Sequence, residues 1–222
     1  MDVFIIKPSN NCIMINTTKS NWTIFGLSNF SYDILDAIKS NGEHIQCFVS
    51  NQRVDEDILV RIPNNIKVIE LCDFKPTTDC YFLGFMDYHK DSLLRVLDGF
   101  NLTFGNIIHS RAYVSSYSQL GQGNFIGANS TIAPKVTIGD FNFINRNCSV
   151  GHHSTIGNRN KTGPGVTISS LCNIQNNNAF GSGSTVLPEI KICSGNIIGA
   201  GSVVTKDMKI PGTYVGLPAK KL

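Results

Sequence analysis

The chain has 222 residues, 41% of them hydrophobic, which is enough to form the core of one large or two small domains. The net charge of +3 is uneven: residues 1–100 hold nine Lys and Arg against thirteen Asp and Glu, whereas residues 101–222 hold ten against three. The basic residues form no run or recognition motif, which argues against a nucleic-acid partner. No apolar stretch reaches the ~20 residues of a membrane span.

The cysteines and the start of the sequence indicate a reducing compartment. Seven Cys are present, an odd number, and none of them forms a CxxC pair. This pattern fits reduced thiols better than a disulfide framework or a zinc site. The short apolar run at residues 3–6 does not match a signal peptide. We therefore expect a cytoplasmic protein without a structural metal.

The first hundred residues predict a small α/β domain. Two apolar runs within residues 1–21 are interpreted as a hairpin or an edge addition. Strands are expected at residues 22–25, 45–49, 67–71 and 81–85, and helices at 32–40 and 91–97, the first closed by Asn41 and Gly42. Strand, turn, helix and strand form a βαβ unit with a right-handed crossover, so the sheet is predicted to be mostly parallel.

The turn at residues 26–31 is the candidate ligand site of this sheet. Ligands of such sheets bind at the C-terminal strand ends, beside the first glycine-containing turn. Only Gly26 is glycine here, and a full GxGxxG fingerprint is absent. A plain strand-to-helix turn that binds no phosphate therefore remains the alternative.

The second half carries an uninterrupted period of six residues. Sixteen of seventeen positions are aliphatic or Phe, and most are followed by a small residue, often Gly. This period is the signature of a parallel β-helix, in which the periodic residues stack into one apolar column. Gly at the corners allows sharp turns. The seventeen anchor positions are Val114, Leu120, Ile126, Ile132, Ile138, Ile144, Val150, Ile156, Thr162, Ile168, Ile174, Phe180, Val186, Ile192, Ile198, Val204 and Ile210.

The end of the chain adds a motif to this pattern. It reads GAGSVVTKD at residues 199–207 and YVGLPAK at 214–220. With the α/β domain and the repeat, residues 22–222 resemble bacterial sugar acetyltransferases of the hexapeptide-repeat class. That group includes acetyltransferases of nucleotide-linked 4-amino sugars and sialic acid O-acetyltransferases.

The resemblance implies a domain layout and an assembly. Residues 1–108 would be a Rossmann-like domain for the sugar nucleotide, and residues 109–222 a left-handed β-helix for acetyl-CoA, with a C-terminal tail. It also implies a homotrimer, in which coenzyme A and the acceptor meet in the cleft between adjacent β-helices.

The resemblance also implies site residues. His152 falls on the catalytic position, and His153 stands where the family often has an acidic residue. Lys161, nine residues after His152, stands where the family often has a second His near the acetyl group. The coenzyme is assigned to Lys161, Gly181, Gly199, Ala200 and Lys220. The acceptor is assigned to Gly26, Ser28, Asn29, Phe30, Ser50 and Asn51, although the family's glycine-rich first turn and Asp-Asp pair are both replaced here.

Acetyl transfer needs a base, and a neutral His suits this task. Backbone N–H groups at the glycine corners could hold the oxyanion. The expected function is acetyl-CoA-dependent N-acetylation of an amino sugar, linked to UDP or dTDP, for surface-glycan synthesis. O-acetylation of a sialic-acid-like sugar and a non-catalytic β-helix binding subunit are the alternatives. No third ligand accompanies His152 and His153, so no metal is expected.

Overall fold

The computed structural model describes residues 21–50, 59, 62–76, 80–84 and 90–222, with the backbone only at residues 90–92. The helices are α1 (Ser31–Ser40) and α2 (Lys90–Leu97), and single 3-10 turns lie at Leu71–Asp73 and Asp98–Phe100. The first four strands are β1 (Asn21–Phe25), β2 (His44–Ser50), β3 (Lys67–Glu70) and β4 (Cys80–Leu83). The hairpin expected within residues 1–21 falls almost wholly outside the described residues.

Strands β1 to β4 form one sheet in the order β3-β2-β1-β4, and every neighbouring pair is parallel. The predicted strands and helices of this region are found, with ends that differ by one or two residues. Helix α1 covers one face of the sheet, where Trp22 and Ile24 are buried. Helix α2 covers the opposite face, where Phe25 and Tyr81 are buried.

Helix α1 forms because its apolar residues recur on one side. Ile34, Leu35, Ala37 and Ile38 are buried, and the remaining positions are mostly polar. The helix ends at Ser40, and Gly42, two residues later, adopts a φ of 70° and donates its N–H to the Lys39 carbonyl at 2.9 Å. This is the expected glycine C-cap, since a left-handed residue costs least at glycine.

The remaining strands belong to a parallel β-helix, which confirms the architecture predicted from the six-residue period. Before the tail, each strand pairs with the strand eighteen residues away in the chain, as Thr137 does with Thr155. The strands form three stacked sheets, which we call sides 1, 2 and 3 in the order in which the chain visits them.

Side 1 consists of β5 (Ile107–Ile108), β8 (Phe125–Ile126), β11 (Phe143–Ile144), β14 (Lys161–Thr162), β17 (Ala179–Phe180), β20 (Ile197–Ile198), β22 (Thr213–Val215) and the antiparallel β23 (Lys220–Lys221). Side 2 consists of β6 (Tyr113–Val114), β9 (Thr131–Ile132), β12 (Ser149–Val150), β15 (Thr167–Ile168), β18 (Thr185–Val186) and β21 (Val203–Val204). Side 3 consists of β7 (Gln119–Leu120), β10 (Thr137–Ile138), β13 (Thr155–Ile156), β16 (Asn173–Ile174) and β19 (Lys191–Ile192).

The anchor residues point inward and fill the column. Ile126, Ile132 and Ile144 are completely buried, and full burial of such a side chain is worth about 1.5–3 kcal/mol. Thr162, the polar exception in the series, is also buried at 4% exposure. Its hydroxyl accepts the Asn145 N–H at 2.9 Å and lies 3.3 Å from the Cys148 thiol. A local hydrogen-bond network therefore satisfies the one polar anchor.

The prediction fails at the last anchor, Ile210. This residue is 61% exposed, whereas Met208 is 4% exposed and packs in the column. Met208 is bridged to Ile192, sixteen residues earlier instead of eighteen. The period therefore ends at Val204, because the final coil is shortened and the tail closes the column.

A buried asparagine ladder runs along the corner between sides 3 and 1, and the hydrophobic period gave no sign of it. The carboxamide oxygen of Asn142 accepts the backbone N–H of Asn160 at 2.8 Å and its side-chain N–H at 3.1 Å. The oxygen of Asn160 accepts the same two bonds from Asn178. Such a chain of hydrogen bonds ties each coil to the next.

We expect Asn160→Ala to lower the free energy of unfolding by about 1–3 kcal/mol, because buried donors and acceptors above and below would lose their partner. Chemical denaturation at one fixed protein concentration measures this loss. The matched control is Asn173→Ala, because Asn173 is exposed on the outer face of side 3. Equal, small effects of the two substitutions would mean that the ladder does not stabilise the coils.

Helix α1 lies against the outer face of side 1. The Phe30 ring meets Phe143 at 4.4 Å and Phe125 at 5.1 Å between ring centroids, both edge to face. At the middle of the helix, His109 Nε2 lies 3.2 Å from an Asp36 carboxylate oxygen, and His109 Nδ1 accepts the Arg111 N–H at 3.0 Å. Aromatic and polar contacts therefore fix the N-terminal sheet on one side of the β-helix.

Candidate functional site

The two candidate catalytic histidines occupy the corner between β12 on side 2 and β13 on side 3. Both side chains are exposed. Their Nδ1 atoms are 3.0 Å apart, within hydrogen-bonding distance, and the rings meet edge to face with centroids 5.2 Å apart. The structure therefore joins His152 and His153 as a pair.

Neighbouring coils hold the backbone of this corner. The His152 carbonyl accepts the Leu171 N–H at 3.0 Å, and the His153 N–H reaches the Pro134 carbonyl at 3.3 Å. His153 adopts a φ of 59°, a conformation that L-residues seldom take. The corner is thus set by the coils above and below, and the two rings project from a fixed base.

The Nδ1 contact links the roles of the two rings, because one Nδ1 must donate and the other must accept. A neutral imidazole has one N–H donor and one lone-pair acceptor. If His152 donates from Nδ1 to His153, the lone pair of His152 lies on Nε2. The second histidine then orients the first, as a carboxylate does in many histidine-dependent sites.

The residues assigned to coenzyme A lie in two places. Gly181, Gly199 and Ala200 share the corner between sides 1 and 2. A Cβ at Gly181 would collide with the Ala200 backbone N, and it would lie 2.8 Å from the Gly199 carbonyl carbon, so only glycine fits there. Lys220 is exposed on β23 and pairs with Val215, near the Gly199 end of the stack.

Lys161 lies apart from the histidines, on the outer face of side 1. Its register partners are Phe143 in the preceding coil and Ala179 in the following coil. Since Phe143 packs under Phe30, Lys161 stands one coil away from the start of helix α1. The histidine corner is the vertex opposite side 1, so the apolar column separates His152 from Lys161 within one chain.

The acceptor turn lies at the C-terminal end of β1. Gly26, with a φ of 96°, donates its N–H to the Val49 carbonyl at 2.8 Å. Ser28 Oγ accepts the Phe30 N–H at 3.2 Å, and Ser31 Oγ accepts the Ser28 N–H at 3.0 Å. These hydroxyls therefore shape the turn itself.

The other acceptor candidates differ in exposure. Asn29 is exposed at the tip of the turn, whereas the Phe30 ring packs on the β-helix. Ser50 is 8% exposed at the end of β2, beside the turn. Asn51 lies outside the described residues.

Sequence reasoning missed a charged pair beside this turn. Asp33, in the first turn of α1, lies 3.8 Å from Arg146, at the corner after β11. Partial burial raises the pKa of Asp33, the Arg146 charge lowers it, and the charge of Asp36 raises it. The two residues are 113 positions apart, and no periodic signal links them.

Part of the β-helix matches a known family model. Residues 135–170 match the family model described as bacterial transferase hexapeptide (six repeats). The matched residues lie within the coils, which are therefore similar to the repeat of that family. Among curated proteins, no sequence matches the chain.

Solved structures share the fold of the hexapeptide repeat together with its N-terminal sheet. PerB from Caulobacter crescentus, in complex with CoA and GDP-perosamine, has a TM-score of 0.79 and 23% identity, with 91% of this chain and 97% of that chain covered. The acetyltransferase domain of PglB from Neisseria gonorrhoeae, in complex with acetyl coenzyme A, has a TM-score of 0.81 and 19% identity, with 92% and 100% covered. WeeI from Acinetobacter baumannii has a TM-score of 0.77 and 20% identity, with 90% and 99% covered.

Two further properties concern only the described part of the chain. No helix there is long and apolar enough to cross a membrane. No three His, Cys, Asp or Glu side chains lie close enough together there to hold a metal ion.

Proposed function

We propose that this protein is an acetyl-CoA-dependent N-acetyltransferase of an amino sugar linked to a nucleotide. Residues 109–222 form a left-handed β-helix that binds the coenzyme, and residues 1–108 form a Rossmann-like domain that binds the acceptor. Two of the solved structures that share the fold contain CoA or acetyl coenzyme A, and one of them also contains GDP-perosamine. GDP is therefore a third candidate nucleotide, beside the UDP and dTDP named in the sequence analysis.

The histidine pair is the observation that carries the proposal. His152 is exposed, lies on a rigid corner and contacts a second imidazole through Nδ1. With His153 accepting that bond, His152 Nε2 carries the lone pair of a general base. When His152 gains a proton there, its Nδ1–H still donates to the lone pair of His153. The pairing of the two rings distinguishes this corner, since exposed residues are common at the corners of the coils.

The reaction follows as a direct transfer. The amine nitrogen of the sugar attacks the thioester carbonyl of acetyl-CoA, and a C–N bond forms. His152 Nε2 takes the proton that the nitrogen loses, and backbone N–H groups at the glycine corners stabilise the oxyanion. The C–S bond then breaks, and the thiolate of coenzyme A receives the proton from His152. No acyl-enzyme is formed.

The site requires two chains. The acceptor turn starts helix α1 on side 1, whereas His152 stands at the opposite vertex of the same β-helix. One acceptor molecule cannot touch both through the apolar column. The His152 corner of one chain therefore meets the acceptor turn of another, in a homotrimer. Light scattering that shows a fully active monomer of about the chain mass, 24.3 kDa, would contradict this.

The coenzyme lies along the corner between sides 1 and 2. The glycine stack at that corner, Gly181 and Gly199, lets Ala200 and Val215 pack closely against the backbone, since a Cβ on either glycine would meet one of them. Lys220 supplies positive charge at one end for a coenzyme phosphate. Lys161 lies on side 1, between the coenzyme corner and the acceptor turn.

We expect Ser28→Trp to raise the KM for the acceptor and to leave acetyl-CoA binding unchanged. A Trp ring would fill the turn beside Asn29, far from the glycine stack. Steady-state kinetics with each substrate varied separately measures the effect. The control is Ser116→Trp, an exposed corner position on the first coils. Equal losses for both substrates would mean that Ser28→Trp acts through misfolding, or that the turn is not the acceptor site.

A panel of acceptors separates transfer from binding alone. Thiol release from acetyl-CoA should depend on an added nucleotide-linked amino sugar, and it should fall to background with the matching hydroxyl sugar. Acetyl-CoA binding without acceptor-dependent thiol release across the panel would support a binding subunit instead. Release with the hydroxyl sugar would support O-acetylation.

A further inference from the structure

A second concave region lies at the corner between sides 3 and 1, where helix α2 approaches the β-helix. We call it the arginine groove. It has a volume of about 450 Å³, and its lining includes Arg95, Asp98, Phe104, Gln122, Phe141 and Arg159. Small-molecule sites commonly have volumes of about 300–1,000 Å³ and occur where two parts of a fold meet.

The groove is separate from the acceptor turn. Gly84, at the end of β4, lies beside Gly26, since a Cβ on Gly84 would be 3.0 Å from the Gly26 carbonyl oxygen. Phe104 is bridged to Tyr81, near the opposite end of β4 from Gly84. Phe104 lines the groove, so the groove lies toward the other end of that strand from the turn.

Aromatic side chains form the floor of the groove. Phe141 is 8% exposed and meets Phe104 edge to face at 5.3 Å. The Phe141 ring lies over Gly123 in the preceding coil, where a Cβ would be 2.5 Å from a ring carbon. A substituent at residue 123 would displace the ring, so the glycine keeps the floor in place.

The walls carry arginines from two separate parts of the fold. Arg95 comes from the last turn of α2, and Arg159 comes from the coil that follows Phe141, where its N–H donates to the Asp140 carbonyl at 2.9 Å. Both side chains are exposed, and they line the same groove. A guanidinium group binds phosphate or carboxylate in a two-pronged way and also stacks on flat rings.

We propose that the arginine groove binds a small ligand that carries a phosphate or carboxylate group on a flat apolar body. The anionic group lies between Arg95 and Arg159, and the flat body lies on Phe104 and Phe141. Asp98, which lines the groove just after α2, carries a negative charge that repels the anion. This site does not depend on the acetyl-transfer proposal, because none of its residues belongs to the histidine corner, the glycine stack or the acceptor turn.

The test uses phenyl phosphate, which has a phosphate dianion and a flat ring. The protein is titrated into phenyl phosphate, and ³¹P NMR measures binding. Saturable binding is expected. Arg95→Gln and Arg159→Gln should each weaken it about tenfold, since each removes hydrogen bonds to a charged group. Asp98→Asn should tighten it, because a like charge is removed. Arg111→Gln is the charge-matched control, since Arg111 is exposed on the first coils outside the groove.

A competition experiment distinguishes the groove from the coenzyme site. Saturating acetyl-CoA should leave phenyl phosphate bound with unchanged affinity. Displacement by acetyl-CoA, unsaturable binding, or equal affinity of wild type and Arg159→Gln would overturn the proposal. Circular dichroism and light scattering check that each variant keeps its fold and assembly. Failure here would leave the acetyl-transfer proposal intact, because thiol release is measured separately.

Discussion

Replacing His152 with alanine should lower kcat by about 10²–10⁴-fold, the usual contribution of a general base. Acetyl-CoA affinity and assembly should change little, because the His152 side chain is exposed and only its carbonyl ties the coils together. Steady-state kinetics measures kcat, acetyl-CoA binding and light scattering measure the other two properties, and the exposed His44→Ala is the matched control.

Variants at His153 test its positioning role. His153→Ala should cost less than His152→Ala, because it removes only the partner of Nδ1. His153→Glu should retain more activity than His153→Ala, since a carboxylate also accepts the Nδ1–H. The corner tolerates Glu, because Glu189 adopts the same left-handed conformation two coils later, with a φ of 67°. A dead His153→Ala beside an active His152→Ala would show that the base is His153.

Mixed oligomers should be more active at low acceptor concentration than either parent. Ser28→Trp damages the acceptor turn, and His152→Ala removes the base. If each site combines the turn of one chain with the histidine of its neighbour, random mixing of equal amounts gives about one quarter intact sites. The two variants are co-expressed with different tags, and the mixed oligomers are purified by both tags. Activity is then assayed at an acceptor concentration below the KM of Ser28→Trp.

The control mixes the two parent oligomers after purification, under conditions in which they do not exchange chains. This mixture should show no recovery. Light scattering must confirm that the mixed oligomers have the same size as the wild type. Absence of recovery in true mixed oligomers would place both halves of the site in one chain. That result would contradict the two-chain site derived from the positions of Phe30 and His152.

The sequence predicted the β-helix because its signal is local and repeated. Each anchor must point into the column, and the neighbour eighteen residues away has the same role, so Ile126, Ile144 and Thr162 align without gaps. The βαβ unit of β1, α1 and β2 was also predicted from local signals, namely the glycine-containing turn and the Asn41 and Gly42 pair that closes the helix. Thr162 also occupies its predicted anchor position in the column, because a neighbouring N–H and a thiol satisfy its hydroxyl.

Features set by long-range contact could not be predicted. Met208 replaces Ile210 because the tail shortens the last coil, and nothing in the period signals this. The Asp33–Arg146 pair and the arginine groove depend on how α1 and α2 pack against the coils.

Direct detection of the product tests the central claim. Wild-type protein is incubated with acetyl-CoA and a nucleotide-linked 4-amino sugar, with GDP, UDP and dTDP forms in parallel, and the sugar is analysed by mass spectrometry and NMR. We predict one acetyl group on the amino nitrogen of at least one of these sugars, one free coenzyme A thiol for each product, and loss of both in His152→Ala. Coenzyme A release without an N-acetylated sugar, or unchanged product formation by His152→Ala, would contradict the account.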